Sequence, residues 1–465
     1  MKTIVIVGGG ITGLSAAYFI QKKVKAGQLD ANVVLAEASG TLGGKIRTVR
    51  QGEFMMETGA DSIVARKPNV APFIEELGLQ GEVVYNATGK SYIHTDGVLK
   101  PVPDDTVFGI PMSIRSLAES TLVSAEGKVE ALKDFYTEND SFTKNDSIGL
   151  FLERFLGKEL VEKQIAPVLS GVYNGELSGL TIASTLPYLL DYKNEYGSII
   201  KGLGENRGTF QRAGNRKFLS FKGGMSALVD ELEKRLEDVE IVKGSRAERI
   251  AKAANRYSVS FAGGRAIEAD CVVLGVPHQA ARTMLGSEEL DADFDRLRSG
   301  SMTSVYISFD VPDGLLPKDG TGFINAGGGD LVCDACTWTS RKWEHTSADR
   351  RLLVRLFYKS SNAVYESLRR LSEDELLGTA LRDVEKSLGL AEKPLDYTVT
   401  KWNDAMPNYV IGHQRIVESL TEKLERLFPG VLLAGCSYYG VGIPDCIASG
   451  ERTAERIFEQ LTAGF

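Results

Sequence analysis

Thr3-Ile-Val-Ile-Val-Gly-Gly-Gly-Ile-Thr-Gly13 is the stretch whose reading decides the fold. Ile4 to Val7 form an apolar, β-branched run too short for a helix, which reads as a strand buried on both faces. Gly8, Gly10 and Gly13 follow with G-x-G-x-x-G spacing, and Leu14 to Ile20 continue as an apolar helix. In such a turn the first glycine permits the bend and the second lets a pyrophosphate approach the backbone. The third lets helix and strand pack closely, and the helix N-terminus faces the phosphates. Glycine-rich turns are common, so the motif alone is weak. Here a second strand, Val33-Val-Leu-Ala-Glu37, ends in a carboxylate placed to accept from ribose hydroxyls. An ordinary βα turn does not explain strand, glycines, helix, strand and terminal Glu in that order. The N-terminus is therefore read as the start of a bound-dinucleotide site.

The other end of the chain repeats the pattern. Val431-Leu-Leu-Ala-Gly435 is a buried strand, Tyr438-Tyr-Gly-Val-Gly-Ile-Pro-Asp445 a glycine turn, and Cys446 to Leu461 a helix whose first turn suits Pro444. Both ends are expected in one sheet, with everything between inserted into it. Gly43-Gly-Lys-Ile-Arg-Thr48 is a further glycine turn that offers Lys45 and Arg47 to phosphates, and Glu57-Thr-Gly-Ala-Asp-Ser62 follows. Two such loops suggest a long cofactor with more than one phosphate-bearing end. For the second loop taken alone, a plain turn is the alternative.

Between the ends the pattern changes several times. Residues 91–111 hold short extended pieces, with a turn at Asp96-Gly97. Residues 112–200 read as helical. Ile148, Phe151, Leu152, Phe155 and Leu156 line one face, with Asp146 or Ser147 as N-cap and Gly157 as a stop. Leu160, Val161, Ile165, Val168 and Leu169 make a similar face, and Lys201 to Asn215 reads as a polar loop. Gly223 to Leu236 is an amphipathic helix opened by glycines. Tyr257 to Phe261 and Ala266 to Glu268 form a hairpin around Gly263-Gly264, and Asp270 to Pro277 is a buried strand. Residues 303–358 read as several long strands, and 373–388 as a helix.

The chain of 465 residues has room for about two or three domains. A net charge of −8 argues against nucleic acid and against a broadly basic membrane-binding face. No apolar run approaches the ~20 residues of a transmembrane helix, and the N-terminus has no signal-peptide pattern. A cytoplasmic protein is expected. Cys333-Asp-Ala-Cys336 has C-x-x-C spacing, but it lies in an expected strand, Leu331 to Thr339, where positions three apart face opposite sides. No second Cys/His pair lies nearby, so no metal is expected. The chain also shows no Ser/His/Asp or paired-carboxylate constellation, and no catalytic side chain is assigned.

Several segments together carry a resemblance. They are the N-terminal fingerprint, Gly43-Gly44-Lys45, Gly171-Val-Tyr-Asn-Gly175 and Trp402 with Pro407-Asn-Tyr409 and Gly412-His413. Gly440-Val-Gly-Ile-Pro-Asp-Cys446, Cys333 to Thr339 and Lys342-Trp343 complete the set. They resemble the oxygen-dependent protoporphyrinogen and coproporphyrinogen oxidases of haem synthesis, from residue 3 to about 458. The nearest likeness is to the soluble Gram-positive branch that oxidises coproporphyrinogen III. The resemblance implies an α/β fold with α+β insertions, of the flavin monoamine-oxidase-like kind. Its parts would be a discontinuous Rossmann-like FAD-binding domain (1–66, 216–298 and 411–465), an antiparallel-sheet substrate domain (67–108, 209–215 and 299–410) and a helical domain (109–208). In membrane-bound relatives the helical domain docks on the bilayer. The same region here has no long apolar run, so no integral membrane contact is expected.

The resemblance also implies a non-covalent FAD, with O₂ as acceptor and H₂O₂ as product. The flavin would take a hydride from a porphyrinogen meso carbon, and the protein would supply position, dryness and electrostatics. Implied cofactor contacts at the N-terminal turn are Gly8, Gly10, Ile11, Thr12 and Gly13, with Glu37 and Ala38 after the second strand. Gly43, Gly44 and Lys45 follow, then Gly59, Ala60, Asp61 and Ser62. Ala247, Trp402, Gly435, Gly442, Ile443 and Pro444 complete them. The helix after Pro444 would aim its positive end at the flavin, worth about 0.5–2 kcal/mol to a reduced, negatively charged ring. Bland readings stand beside these: Glu37 as a solvated strand end, Lys45 as a surface charge, Trp402 as ordinary core.

For the substrate, the candidate cations are Arg66 and Lys67, then Arg341 and Lys342, each equally readable as a surface charge. Tyr173 stands between packing and cavity lining, and Asn174 replaces the alanine usual after Gly-Val-Tyr. Mitochondrial-type members carry a propionate-binding arginine about where Ser91 stands, which weakens protoporphyrinogen IX as substrate. Alternatives are a protoporphyrinogen IX oxidase, another substrate on the same flavin fold, and a non-catalytic flavin- or porphyrin-binding scaffold. A transient contact with the next enzyme of haem synthesis is the partner expected beyond substrate and O₂.

Overall fold

The apolar N-terminal run becomes a central strand of a parallel sheet. The computed structural model describes residues 1–172, 175–211, 217–327 and 329–463. Lys2–Val7 pairs with Ala31–Ala36 on one side and Cys271–Leu274 on the other. Val239–Val242 and Val431–Leu433 form the two edges, and every pair is parallel. Ile4 and Ile6 pack under the helices Ile11–Lys25, Ser226–Arg235 and Ile443–Ala463. Val5 and Val7 face a second core that includes Ala281, Met284, Ile416 and Leu420. Burial on both faces explains why the run is continuous rather than alternating. Each aliphatic side chain so buried contributes about 1.5–3 kcal/mol, so Val5→Asp would break the sheet at its centre. The two chain ends share this sheet, as their patterns require.

The second sheet has seven strands. Their order is Pro394–Asn408, Arg298–Pro312, Arg351–Lys359, Ala335–Trp338, Gly320–Asn325, Lys90–Thr95 and Val98–Pro101. The resemblance implies an antiparallel sheet, and five of its six strand pairs are antiparallel. Gly320–Asn325 pairs in parallel with Lys90–Thr95, because the hairpin turned at Asp96-Gly97 docks by its first strand. Both turn residues have positive φ, which matches the right-handed twist of the flanking strands. One face buries Val305, Ile307, Val354, Leu356 and Tyr358 against the helix Glu373–Leu388. That helix is fixed by a Ser372/Glu375 capping box and stopped by Gly389 at φ +67°. On the other face Tyr306 and Leu353 pack on Phe54 and Met56, so this face turns toward the parallel sheet.

A helical layer packs around Phe151, Leu152, Phe155 and Leu156, all buried. Ser147 is the N-cap, accepting from the Leu150 N–H, and Gly157 ends the helix. Beneath it lies a fully buried ion pair. Lys193 Nζ is 3.1 Å from Asp134, whose carboxylate also accepts from Ser198, Ile199 and Ile200. The expected polar loop from Lys201 is instead helical, over Ile199–Glu205 and Arg207–Gln211. Ile199, Ile200 and Leu203 form an inner face that leaves the polar residues outside. Residues 212–216 lie outside the described residues.

Three further expectations are corrected. Helix Val70–Glu76 buries Val70, Phe73 and Ile74 in the core of the parallel sheet. The stretch after residue 66 therefore joins the nucleotide side, not the second sheet. Phe210 packs on the helical core, so the helical layer runs past residue 208. The strand holding Cys336 covers only Ala335–Trp338, and Cys333 and Cys336 are buried together in one core rather than on opposite faces. Among the described residues no helix is long and apolar enough to cross a membrane. No His/Cys/Asp/Glu group among them could hold a metal ion.

Candidate functional site

At the end of the first strand, the three glycines of the turn meet three different surroundings. Gly8 sits at φ +104°. A side chain at Gly13 would run into the Gly8 carbonyl oxygen, so helix and strand touch there through backbone alone. A Cβ at Gly10 would meet nothing within 4 Å. One of the three thus faces open space at a helix N-terminus, which is what a phosphate needs. The Glu37 carboxylate accepts from the Gly9 N–H at 2.7 Å and from the Ser39 N–H at 2.8 Å. It is therefore held against the turn rather than solvated freely. The Ser245 N–H donates to the Glu37 carbonyl, which brings the strand opening at Ala247 beside Glu37 and Ala38.

Two more loops close on this turn. The Gly43 N–H donates to the Gly9 carbonyl, and the Ala60 N–H to the Lys45 carbonyl, so residues 43–45 and 59–60 stack in succession. At the C-terminal end, Gly435 lies against Thr12 of the first helix: a Cβ there would be 3.0 Å from the Thr12 hydroxyl. Tyr409 clamps the glycine turn. Its hydroxyl donates to the Cys436 carbonyl at 2.7 Å and accepts from the Gly440 N–H at 2.6 Å. Its ring stacks on His413 at 3.8 Å. Beyond the turn Val441 is 50% exposed, an apolar side chain uncovered beside the start of Ile443–Ala463. Asn69 Nδ2 donates to the Pro444 carbonyl. An open phosphate position, a held carboxylate and an uncovered apolar turn fit a dinucleotide carrying a flat ring.

The 57–62 loop is gripped from the seven-stranded sheet. Arg355 is 2% exposed and donates to the Thr58 and Gly59 carbonyls at 3.0 Å each. Trp402 Nε1 donates to the Thr58 carbonyl at 2.9 Å, and the Tyr306 hydroxyl to the Glu57 carbonyl at 3.3 Å. Lys342 Nζ lies 2.7 Å from Asp61. Burial works against the Asp61 carboxylate, but Lys342, with help from Arg355 and Ser62, outweighs it and holds the group below the usual range. Burial of Glu57 is offset only in part by the Met225 N–H and the Thr48 hydroxyl, and it pushes that carboxyl up to about 7.

The substrate cations expected from sequence are mostly committed elsewhere. Lys67 pairs with Asp445 at 2.8 Å. Arg341 is nearly buried on Asp313, at 3.4 Å, and Lys342 belongs to Asp61. Arg341 and Lys342 therefore hold the fold rather than an external anion. Arg66 is exposed and has no partner among the described residues. Lys45 donates to the Ala405 carbonyl at 2.6 Å and the Cys436 sulfur at 3.2 Å, facing the C-terminal turn. Tyr173 and Asn174 lie outside the described residues.

Sequence reasoning missed Arg355 and Lys359. Strand register places Lys359, Met302 and Trp402 in one row, on the face that grips the 57–62 loop. Arg355 lies on the same face four pairs along, in a row that reaches Ser91 through Thr337 and Gly322. Lys359 Nζ donates to the Ser170 carbonyl at 2.7 Å. Burial lowers its affinity for the proton, and Asp334 compensates only in part. The signal was available: Arg355 and Lys359 interrupt an apolar strand four residues apart, a multiple of two that puts both on one face.

Fold and cradle together are those of a flavin-dependent oxidoreductase. The chain belongs to the flavin containing amine oxidoreductase family, whose model matches residues 11–458. It is similar to the coproporphyrinogen III oxidase of Bacillus subtilis, 34% identical over 97% of this chain and 96% of that protein. The coproporphyrinogen III oxidase of Staphylococcus aureus is 30% identical over 99% of this chain and 100% of its own length. A crystal structure from Exiguobacterium sp. 255-15, provisionally named a protoporphyrinogen oxidase, superposes with a TM-score of 0.90 at 33% identity, covering 99% of each chain.

Proposed function

We propose that this chain is an FAD-dependent oxidase that converts coproporphyrinogen III to coproporphyrin III in haem synthesis. On this reading it uses O₂, releases H₂O₂, holds FAD non-covalently, works in the cytoplasm and hands its product to the next enzyme of the pathway. Full-length similarity to two coproporphyrinogen III oxidases supports the reading. The observation that carries it is the clasp between cradle and sheet. Arg355, Trp402 and Tyr306 fix the 57–62 loop on the face that also bears Lys359.

A bound flavin accepts a hydride from carbon and passes the electrons to O₂. The chain's own residues position and exclude. Gly10 leaves room at the helix N-terminus for a pyrophosphate, and Glu37 is set to receive a ribose hydroxyl. Tyr409 fixes the turn that bears Val441, an apolar floor for a flat ring. Lys359 supplies a cation for a substrate carboxylate, a role that Lys67, tied to Asp445, fills less well. Pyrrole protons can leave to solvent, so no strong protein base is needed.

The second reading, protoporphyrinogen IX as substrate, is favoured by the name of the Exiguobacterium structure. Coproporphyrinogen III carries two more propionates than protoporphyrinogen IX. One desolvated carboxylate–cation contact of ~1.4 kcal/mol changes relative kcat/KM about ten-fold. The test is anaerobic mixing with each porphyrinogen, followed by steady-state kinetics at low salt. Bleaching of the flavin by coproporphyrinogen III and a higher kcat/KM for it, shrinking with added salt, is expected. Equal or better kcat/KM for protoporphyrinogen IX overturns the substrate. An unbleached flavin with both overturns the oxidase and leaves a scaffold.

A further inference from the structure

Two thiols meet where the C-terminal strand gives way to the glycine turn. Cys436 follows Val431–Leu433, and Cys446 lies in the first turns of Ile443–Ala463. The Tyr409 hydroxyl ties the Cys436 carbonyl to the Gly440 N–H, and the Gly440 carbonyl faces the Cys446 sulfur, so the two cysteines converge on one turn; neither is in a disulfide. Cys436 is half-buried and Cys446 buried. Lys45 Nζ lies 3.2 Å from the Cys436 sulfur. The Cys446 sulfur is 3.7 Å from the Gly440 carbonyl.

The cluster divides the labour between its two sulfurs. The neighbouring Cys446 thiol, then the Lys45 ammonium, hold the Cys436 sulfur below the ordinary thiol range, against its burial. The neighbouring Cys436 sulfur, together with burial, pushes the Cys446 thiol up. A sulfur beside an ammonium, with a second thiol at the same turn, is the arrangement of an attacking and a resolving cysteine. The other three cysteines differ. Cys271, Cys333 and Cys336 are buried, and burial pushes each of them up.

We propose that Cys436 and Cys446 form a peroxide-oxidisable dithiol, a modification site built into the C-terminal turn. The Cys436 thiolate attacks one oxygen of hydrogen peroxide. The O–O bond breaks, a sulfenic acid forms on Cys436, and hydroxide leaves. The Cys446 thiol gives its proton to that hydroxide, and its sulfur attacks Cys436. The S–S bond forms, the S–O bond breaks, and the departing hydroxide takes a proton from solvent. In sum two thiols lose two electrons, and one peroxide becomes two waters. As the source of peroxide, the oxidase reaction rests on the function proposed above; the reactivity of the pair does not. The link joins the end of the strand to the last helix and removes the anionic partner of Lys45.

The test treats the flavin-loaded protein with hydrogen peroxide in the absence of substrate, then alkylates under denaturing conditions and maps the peptides. Alkylatable thiols are expected to fall from five to three. The chain should become lighter by two hydrogens and yield a Cys436–Cys446 cross-linked peptide that a dithiol reductant reverses. In Cys446→Ser, dimedone should trap a sulfenic acid on Cys436. Five remaining thiols, or a link between another pair, in the unsubstituted protein overturns the proposal whatever the variants do. Failure of the oxidase reading shows separately, as flavin that coproporphyrinogen does not bleach.

Discussion

Replacing Glu57 with glutamine should change how stability depends on pH. Glu57 is 6% exposed, and its carboxyl is pushed from an ordinary 4.5 up to about 7. Below pH 4.5 it is protonated in both folded and unfolded chains, so burial carries no charge penalty. Above pH 7 it is ionised in both, and the folded state bears the full cost. Between these values the unfolded chain releases its proton first, so stability falls as pH rises, by roughly 3 kcal/mol in all. Glutamine is isosteric, keeps an oxygen for the Met225 N–H, and points its NH₂ at the Thr48 hydroxyl. Urea unfolding of both proteins at pH 5 and pH 8 measures the effect as a difference of differences. This cancels the histidines, which titrate in both. The variant should gain roughly 2–3 kcal/mol relative to the parent between the two pH values. Parallel pH profiles would refute a buried, proton-holding Glu57.

Gly13→Ala and Gly10→Ala should separate folding from cofactor binding. The first drives a methyl into the Gly8 carbonyl and should yield little folded protein. The second enters open space and should keep its melting temperature within a few degrees while losing flavin, read by absorbance after gel filtration. Tyr409→Phe leaves the Cys436 carbonyl and Gly440 N–H unpaired, at about 1–3 kcal/mol. It should weaken flavin binding about ten-fold or more in a fluorescence titration. Lys359→Met should raise KM for coproporphyrinogen III several-fold with little change in kcat, and Lys359→Arg should restore it. A kcat loss at unchanged KM would remove Lys359 from substrate binding.

The parallel sheet was legible because its cause is local. A β-branched run and a glycine turn dictate strand, bend and helix within twenty or so residues, and the same grammar recurs at Val431. Charged partners were not legible. Lys342 meets Asp61 across 281 residues and Lys67 meets Asp445 across 378, and no spacing rule encodes such pairs. Lys67 and Arg341 look as free in sequence as any surface cation, although each has a carboxylate waiting. Arg355 and Lys359 left a readable trace, an apolar strand with a cation at every fourth position. The long-strand pattern around them drew attention to the sheet rather than to its two faces. The helix over 199–211 was hidden by the polar residues of its outer side.

The order of the parallel sheet also sets a timetable. Lys2–Val7 leaves the ribosome well before one of its neighbours, Cys271–Leu274. At about 5–20 residues per second, that neighbour arrives on the order of tens of seconds later. Val431–Leu433 and the helix that carries Pro444 come later still. Until then a strand with no polar face waits without its partners, a natural client for chaperones. A ribosome that stalls before Val431 leaves a chain without the strand and glycine turn that close the cofactor cradle. Flavin loading is thus an event of the finished polypeptide, and nascent or truncated chains should emerge colourless.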